Sequence, residues 1–150
     1  MPKVLFLTTS HSYNDDRIFY HQARALRDNG YAVKICSLYA DYKGVIDGIE
    51  IESYAVLEES VEKKTATFQT VCEAFYPDTI ICSEPLAVVA ANKFVKANKI
   101  SCIYDITEWY PSMSMLEKYR FPVKIFQALK FFLIQLYAGY VSTHFIFGET

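Results

Sequence analysis

Six short apolar runs recur along this 150-residue chain, separated by stretches of helical spacing, and that alternation leaves few folds open. The runs are Lys3 to Thr9, Tyr31 to Leu38, Gly48 to Tyr54, Asp78 to Ser83, Ile100 to Asp105 and Thr143 to Phe147. The first is apolar on both faces, as a central parallel strand is. The third alternates Ile49, Ile51 and Ser53 with Glu50 and Glu52, which predicts a wetter face and a place nearer the sheet edge. Between the first two runs, Ile18, Phe19, Ala23 and Leu26 mark one face of an amphipathic helix over Arg17 to Asn29, and Gly30 supplies its stop. Glu58 to Phe75 repeats the helical spacing and is closed by Pro77, while Pro85 starts a further helix to Lys96. Strands alternating with helices at this spacing predict an α/β fold: a doubly wound parallel sheet of about six strands in a Rossmann-like three-layer sandwich. The length suits one domain with its own core.

The charge balance of 15 Lys and Arg against 17 Asp and Glu gives no basic field, so a nucleic-acid partner is not expected. Cys36, Cys72, Cys82 and Cys102 stand singly in mostly apolar runs with no C-x-x-C pair, which predicts buried reduced thiols and no metal site. The opening apolar run is too short for a signal peptide and is soon followed by Asp15, Asp16 and Arg17, so a cytoplasmic protein is expected. At 16% the aromatic share exceeds what one small core holds, which predicts rings at an interface or a cleft. A helical turn is expected near Met113 to Tyr119, and a long apolar helix from Pro122 to about Val141. The richest part of that helix, Phe131 to Val141, is too short to cross a bilayer. It reads as a buried or domain-interface helix, with peripheral contact to the inner membrane face as the second reading.

In such sheets the ligand crevice lies beyond the carboxyl ends of the strands. The first loop there, Thr8 to Arg17, brings His11, Asp15, Asp16 and Arg17 to a helix start, where an anion is favoured or where Asn14, Asp15 or Asp16 caps the helix. No glycine lies between Met1 and Asn29, so a G-x-G-x-x-G turn is excluded and no dinucleotide cofactor is expected. Ser83-Glu84-Pro85 places a hydroxyl and a carboxylate at another helix start, as a cap or as a ligand contact. The most informative loop is Asp105-Ile106-Thr107-Glu108-Trp109-Tyr110-Pro111, which contains the only Trp. Its carboxylates suit proton transfer from a hydroxyl nucleophile, and its rings suit the apolar face of a sugar. The candidate catalytic residues are thus Glu108, Asp105 and Thr107, and the candidate acceptor-binding residues are His11, Asp16, Arg17, Glu84 and Trp109.

Several segments together resemble one family. They are Lys3-Val4-Leu5-Phe6-Leu7-Thr8-Thr9, Asp16-Arg17-Ile18-Phe19 with Ala25-Leu26 and Gly30-Tyr31-Ala32-Val33, and Tyr104-Asp105-Ile106-Thr107-Glu108-Trp109-Tyr110-Pro111. Pro77-Asp78-Thr79-Ile80-Ile81 and the closing Phe145-Ile146-Phe147-Gly148-Glu149 extend the match along the chain. In order and spacing these are similar to the N-terminal domain of family 4 glycosyltransferases, retaining enzymes of the GT-B fold. The resemblance implies an acceptor-side domain, a glycan or lipid-linked acceptor, and a nucleotide-sugar donor held by a second domain with no counterpart in this sequence. By the same resemblance this chain alone is expected to be inactive, and the product to be a cell-surface polysaccharide or glycoconjugate. Many family members carry a glycine-rich loop after the first strand and a His before the Glu of the fifth-strand loop. Here Thr9-Ser10-His11 and Thr107 stand there, so no catalytic His is carried over. Two other classes share the alternation: a receiver-like or flavodoxin-like signalling or binding domain, and a stand-alone interaction module.

Overall fold

A computed structural model describes residues 2–106 and 144–147 of the chain. Its strands are β1 (Lys3–Thr8), β2 (Ala32–Ser37), β3 (Tyr42–Ile46), β4 (Ile49–Ser53), β5 (Thr79–Cys82), β6 (Ser101–Ile106) and β7 (His144–Phe147). They form one sheet in the order β3-β4-β2-β1-β5-β6-β7. Every pairing is parallel except β3 with β4. All six expected strands are present, and the α/β Rossmann-like architecture is the one the alternation predicts.

The seventh strand is the addition. β3 and β4 form a hairpin whose two-residue turn is Asp47-Gly48, with φ of 52° and 76°. Both values lie in the left-handed region, where Asp-Gly is favoured and where the turn's twist matches the strands. β4 is therefore second from the edge, and β3, mostly exposed, covers it.

Residues of β1 divide between the faces by simple alternation. Leu5 and Leu7 join a core with Ile80, Cys82, Cys102 and Tyr104 under helices α2 (Val61–Phe75) and α3 (Pro85–Asn98). Val4 and Phe6 join Val33, Ile35, Ile49 and Ile51 on the other face, against Ile18, Phe19 and Ala23. Those three belong to a helix that begins as π-helix over Asp16–Ala23 and continues as α1 (Arg24–Asp28). α2 is capped by Ser60, whose side chain accepts from the Lys63 N–H, and ends at Tyr76 in the left-handed conformation just before Pro77. The sheet is thus covered on both faces.

All four cysteines are buried, and none is in a disulfide. Burial pushes the Cys36 thiol up and the Cys72 thiol up to about 12, so both stay protonated. The helices expected over 113–119 and 122–141 lie outside the described residues. Among the described residues no helix is long and apolar enough to cross a membrane, and no cluster of three metal-ligating side chains occurs.

One charge inside the sheet is costly on its own. The Lys34 side chain on β2 is 7% exposed, its ammonium 2.8 Å from Glu52 and 3.6 Å from Glu50 on β4. Burial alone would raise the Glu52 carboxyl, but hydrogen bonds from Lys34 and Tyr54 outweigh it and hold Glu52 below its ordinary 4.5. Burial and the same carboxylate push the Tyr54 phenol up to about 12. A carboxyl lowered on folding stabilises above its unfolded value, and that share is lost as pH falls through the folded one. Urea melts of the wild type should therefore show stability falling below pH about 4.5, with Glu52→Gln flattening that limb. An unchanged acid limb in the variant would remove Glu52 from the account.

Candidate functional site

β1 stands between β2 on one side and β5 on the other, so the chain's excursions diverge at its carboxyl end. In an open α/β sheet that switch point is where a crevice opens. Two segments flank it: the loop from Thr9 to Asp15 after β1, and Ser83-Glu84 after β5.

The first segment ends in a helix cap. Asp15 Oδ1 accepts from the N–H groups of Arg17, at 3.0 Å, and Ile18, at 3.1 Å. Of the three residues that could cap this helix, Asp15 does so. Asp16 instead is exposed and, among the described residues, pairs with His21, 3.2 Å away across five residues.

The π-helical turn explains that spacing. Its backbone bonds run from residue i to i+5, as in Arg24 N–H donating to the Phe19 carbonyl. Residues five apart therefore lie on one face, whereas in an α-helix they are about 140° apart. Arg17 and Gln22 are such a pair, and both reach Asp105 at the end of β6. Arg17 Nε donates to Asp105 Oδ2 at 2.9 Å and Nη2 to Oδ1 at 2.6 Å, a two-pronged pairing. Gln22 Nε2 donates to Oδ2 at 2.9 Å. Asp105 is fully buried, and its hydrogen bonds hold the Arg17 guanidinium above its ordinary range despite partial burial. A carboxylate so enclosed anchors a strand end.

Glu84 stands at the N-cap position of α3, yet its side chain makes no cap bond there. It turns to the first loop. Its carboxylate accepts from Thr8 Oγ1 at 2.9 and 3.1 Å, Thr9 N–H at 2.8 Å, Ser10 Oγ at 3.1 Å and Ser10 N–H at 3.4 Å. These donors converge as they would on a bound anion, and the chain supplies the anion itself. His11 lies between the two acids, Nδ1 3.4 Å from Asp15 and Nε2 3.6 Å from Glu84. Its carbonyl accepts from Ser37 Oγ, which ties the loop to the end of β2.

Of the residues picked from the sequence, the structure brings His11 to Glu84 and Arg17 to Asp105, and leaves Asp16 on the surface. Thr107, Glu108 and Trp109 lie outside the described residues. Gln22, Thr8 and Ser10 were not foreseen. Gln22 is five residues from Arg17, a spacing that an α-helical template separates, while Thr8 and Ser10 flank the strand end that the sequence marked.

No protein-family model matches the chain, and no curated protein matches it. A solved structure does: UDP-GlcNAc 2-epimerase from Neisseria meningitidis bound to UDP-GlcNAc, at 15% identity and a TM-score of 0.54. The match covers 96% of this chain and 40% of that one, so this chain spans less than half the enzyme's length. The likeness is one of fold: this chain has the Rossmann-like architecture found in an enzyme of GT-B-like fold.

Proposed function

We propose that this domain is the acceptor-side half of a retaining glycosyltransferase, which passes a sugar from a nucleotide-sugar donor to a glycan or lipid-linked acceptor. The observation that carries this reading is the cradle around Glu84. In a half that grips a nucleotide, the donors beside the switch point are free for phosphate. Here a buried carboxylate already uses them, which suits a half that receives an uncharged hydroxyl acceptor. Asp105, Thr107 and Glu108 would then border the place where acceptor and donor meet, with His11, Asp16, Arg17, Glu84 and Trp109 around the acceptor. The donor's nucleotide would be held by a second domain, and the work would take place in the cytoplasm or at the inner membrane face.

The structural neighbour favours a second reading, a nucleotide-sugar epimerase, since that enzyme's own substrate is UDP-GlcNAc. Amide NMR titration of the chain separates the two. The first reading expects no shifts with UDP-GlcNAc, and shifts along Thr9 to Arg17 with free oligosaccharides. Shifts centred on Thr8 to His11 with UDP-GlcNAc, and none with oligosaccharides, would overturn it in favour of the second.

A further inference from the structure

The hydrophobic pattern of the first helix calls for an ordinary α-helix. Phe19, Ala23 and Leu26 sit at i, i+4 and i+7, the spacing of one α face, and Phe19 and Ala23 are buried. That α face leaves Ile18 at its margin, whereas the π form, which extends from Asp16 to Ala23, stacks the buried Ile18 and Ala23 five apart. Such geometry is rare and seldom longer than a single turn. The polar side adds to that selection.

Two pairs five apart lie there, Asp16 with His21 on the surface and Arg17 with Gln22 at Asp105. Asp105 accepts from Arg17 and Gln22 together, and only the π form stacks two residues five apart over a single carboxylate. The orientation of the Gln22 amide follows from the same contact. Nε2 must face the carboxylate, which leaves Oε1 buried and, among the described residues, without a donor. An unmet buried acceptor is unfavourable. The grip on Asp105 therefore holds Gln22 in this place.

We propose that Asp16–Ala23 is a two-register element, π while Asp105 is clasped by both Arg17 and Gln22 and α once either grip is lost. The two arrangements differ in which residues face the end of β6. In the α register Gln22 turns away from Arg17 by about 140°, so the two can no longer share a carboxylate. The register of the first helix and the hold on the end of β6 are then one equilibrium. A group that takes Arg17 from Asp105 shifts it, because such a group favours one state over the other. Arg17, its side chain 35% exposed, is the accessible member, whereas Asp105 is enclosed.

NMR couplings across hydrogen bonds read the register directly. In the wild type the Arg24 N–H should couple to the Phe19 carbonyl. In Gln22→Met and in Asp105→Asn that coupling should be lost, and one to the Tyr20 carbonyl should replace it. Tyr20→Ala serves as the control: it lies in the same segment, is 49% exposed and does not touch Asp105, so the Phe19 coupling should persist. If Asp105→Asn does not fold, Gln22→Met decides alone. Retention of the Phe19 coupling in Gln22→Met, or its loss in Tyr20→Ala as well, would overturn the proposal.

Discussion

Arg17→Ala should destabilise this domain by about 3–5 kcal/mol, the usual cost of removing one partner from a buried ion pair. The reason is the asymmetry of burial across the pair. Asp105 is 0% exposed, and without Arg17 it keeps, among the described residues, Gln22 as a side-chain donor, so a carboxylate is left in the interior with its ionic partner gone. Asp105→Asn should cost less, about 1–3 kcal/mol, because the guanidinium left behind can turn to water. Lysine does not restore the pair, since an ammonium cannot make the forked contact to both oxygens. Urea melts of the two variants measure both costs. A loss under about 1 kcal/mol for Arg17→Ala, the range of an exposed pair, would show that Asp105 is better solvated than its burial indicates.

Removal of Glu84 should come second. Glu84→Ala leaves the Thr8 hydroxyl and the Thr9 N–H buried without their acceptor, at about 1–3 kcal/mol for each buried donor. For a chain of this length the sum of about 2–6 kcal/mol lowers Tm by roughly 4–24 °C, at about 2–4 °C per kcal/mol. Glu84→Gln keeps one carbonyl oxygen for the same donors and should lose less than half as much. The Thr9 amide proton should move upfield in Glu84→Ala as its hydrogen bond is lost. A Tm within roughly 2 °C of wild type in Glu84→Ala, the shift of a bland surface change, would mean that water replaces the carboxylate.

Periodicity made the sheet legible because its parallel strands are buried on both faces and therefore read as unbroken apolar runs. Lys3 to Thr9 and Asp78 to Ser83 are of this kind, and both lie at the centre. β3 escaped because Tyr42, Lys43 and Val45 face solvent and Gly44 interrupts the pattern. The only signal there was the Asp47-Gly48 pair, which is a turn signal and not a strand signal. At the candidate site, reasoning from strand ends named Arg17, Glu84 and Asp105, since position after a strand is a property of sequence order. It did not find which of them meet. Arg17 and Asp105 are 88 residues apart, and Thr8 and Glu84 are 76 apart, so each pairing depends on the strand order. Gln22 was hidden for a local reason, because α-helical geometry was assumed for a segment that is π-helical.

The place of β1 in the sheet also bears on how the chain is made. Its first partner, β2, lies only some thirty residues on, but its other edge stays open until β5 is synthesised, as the pairing of Leu7 with Cys82 requires. A nascent chain emerging from the ribosome thus presents an apolar strand with one free edge through the whole of α2. Parallel pairing of this range is slow and exposes such edges to other chains. Co-translational assembly of this domain therefore has a natural checkpoint at Cys82, where the second edge of β1 is first covered along its length.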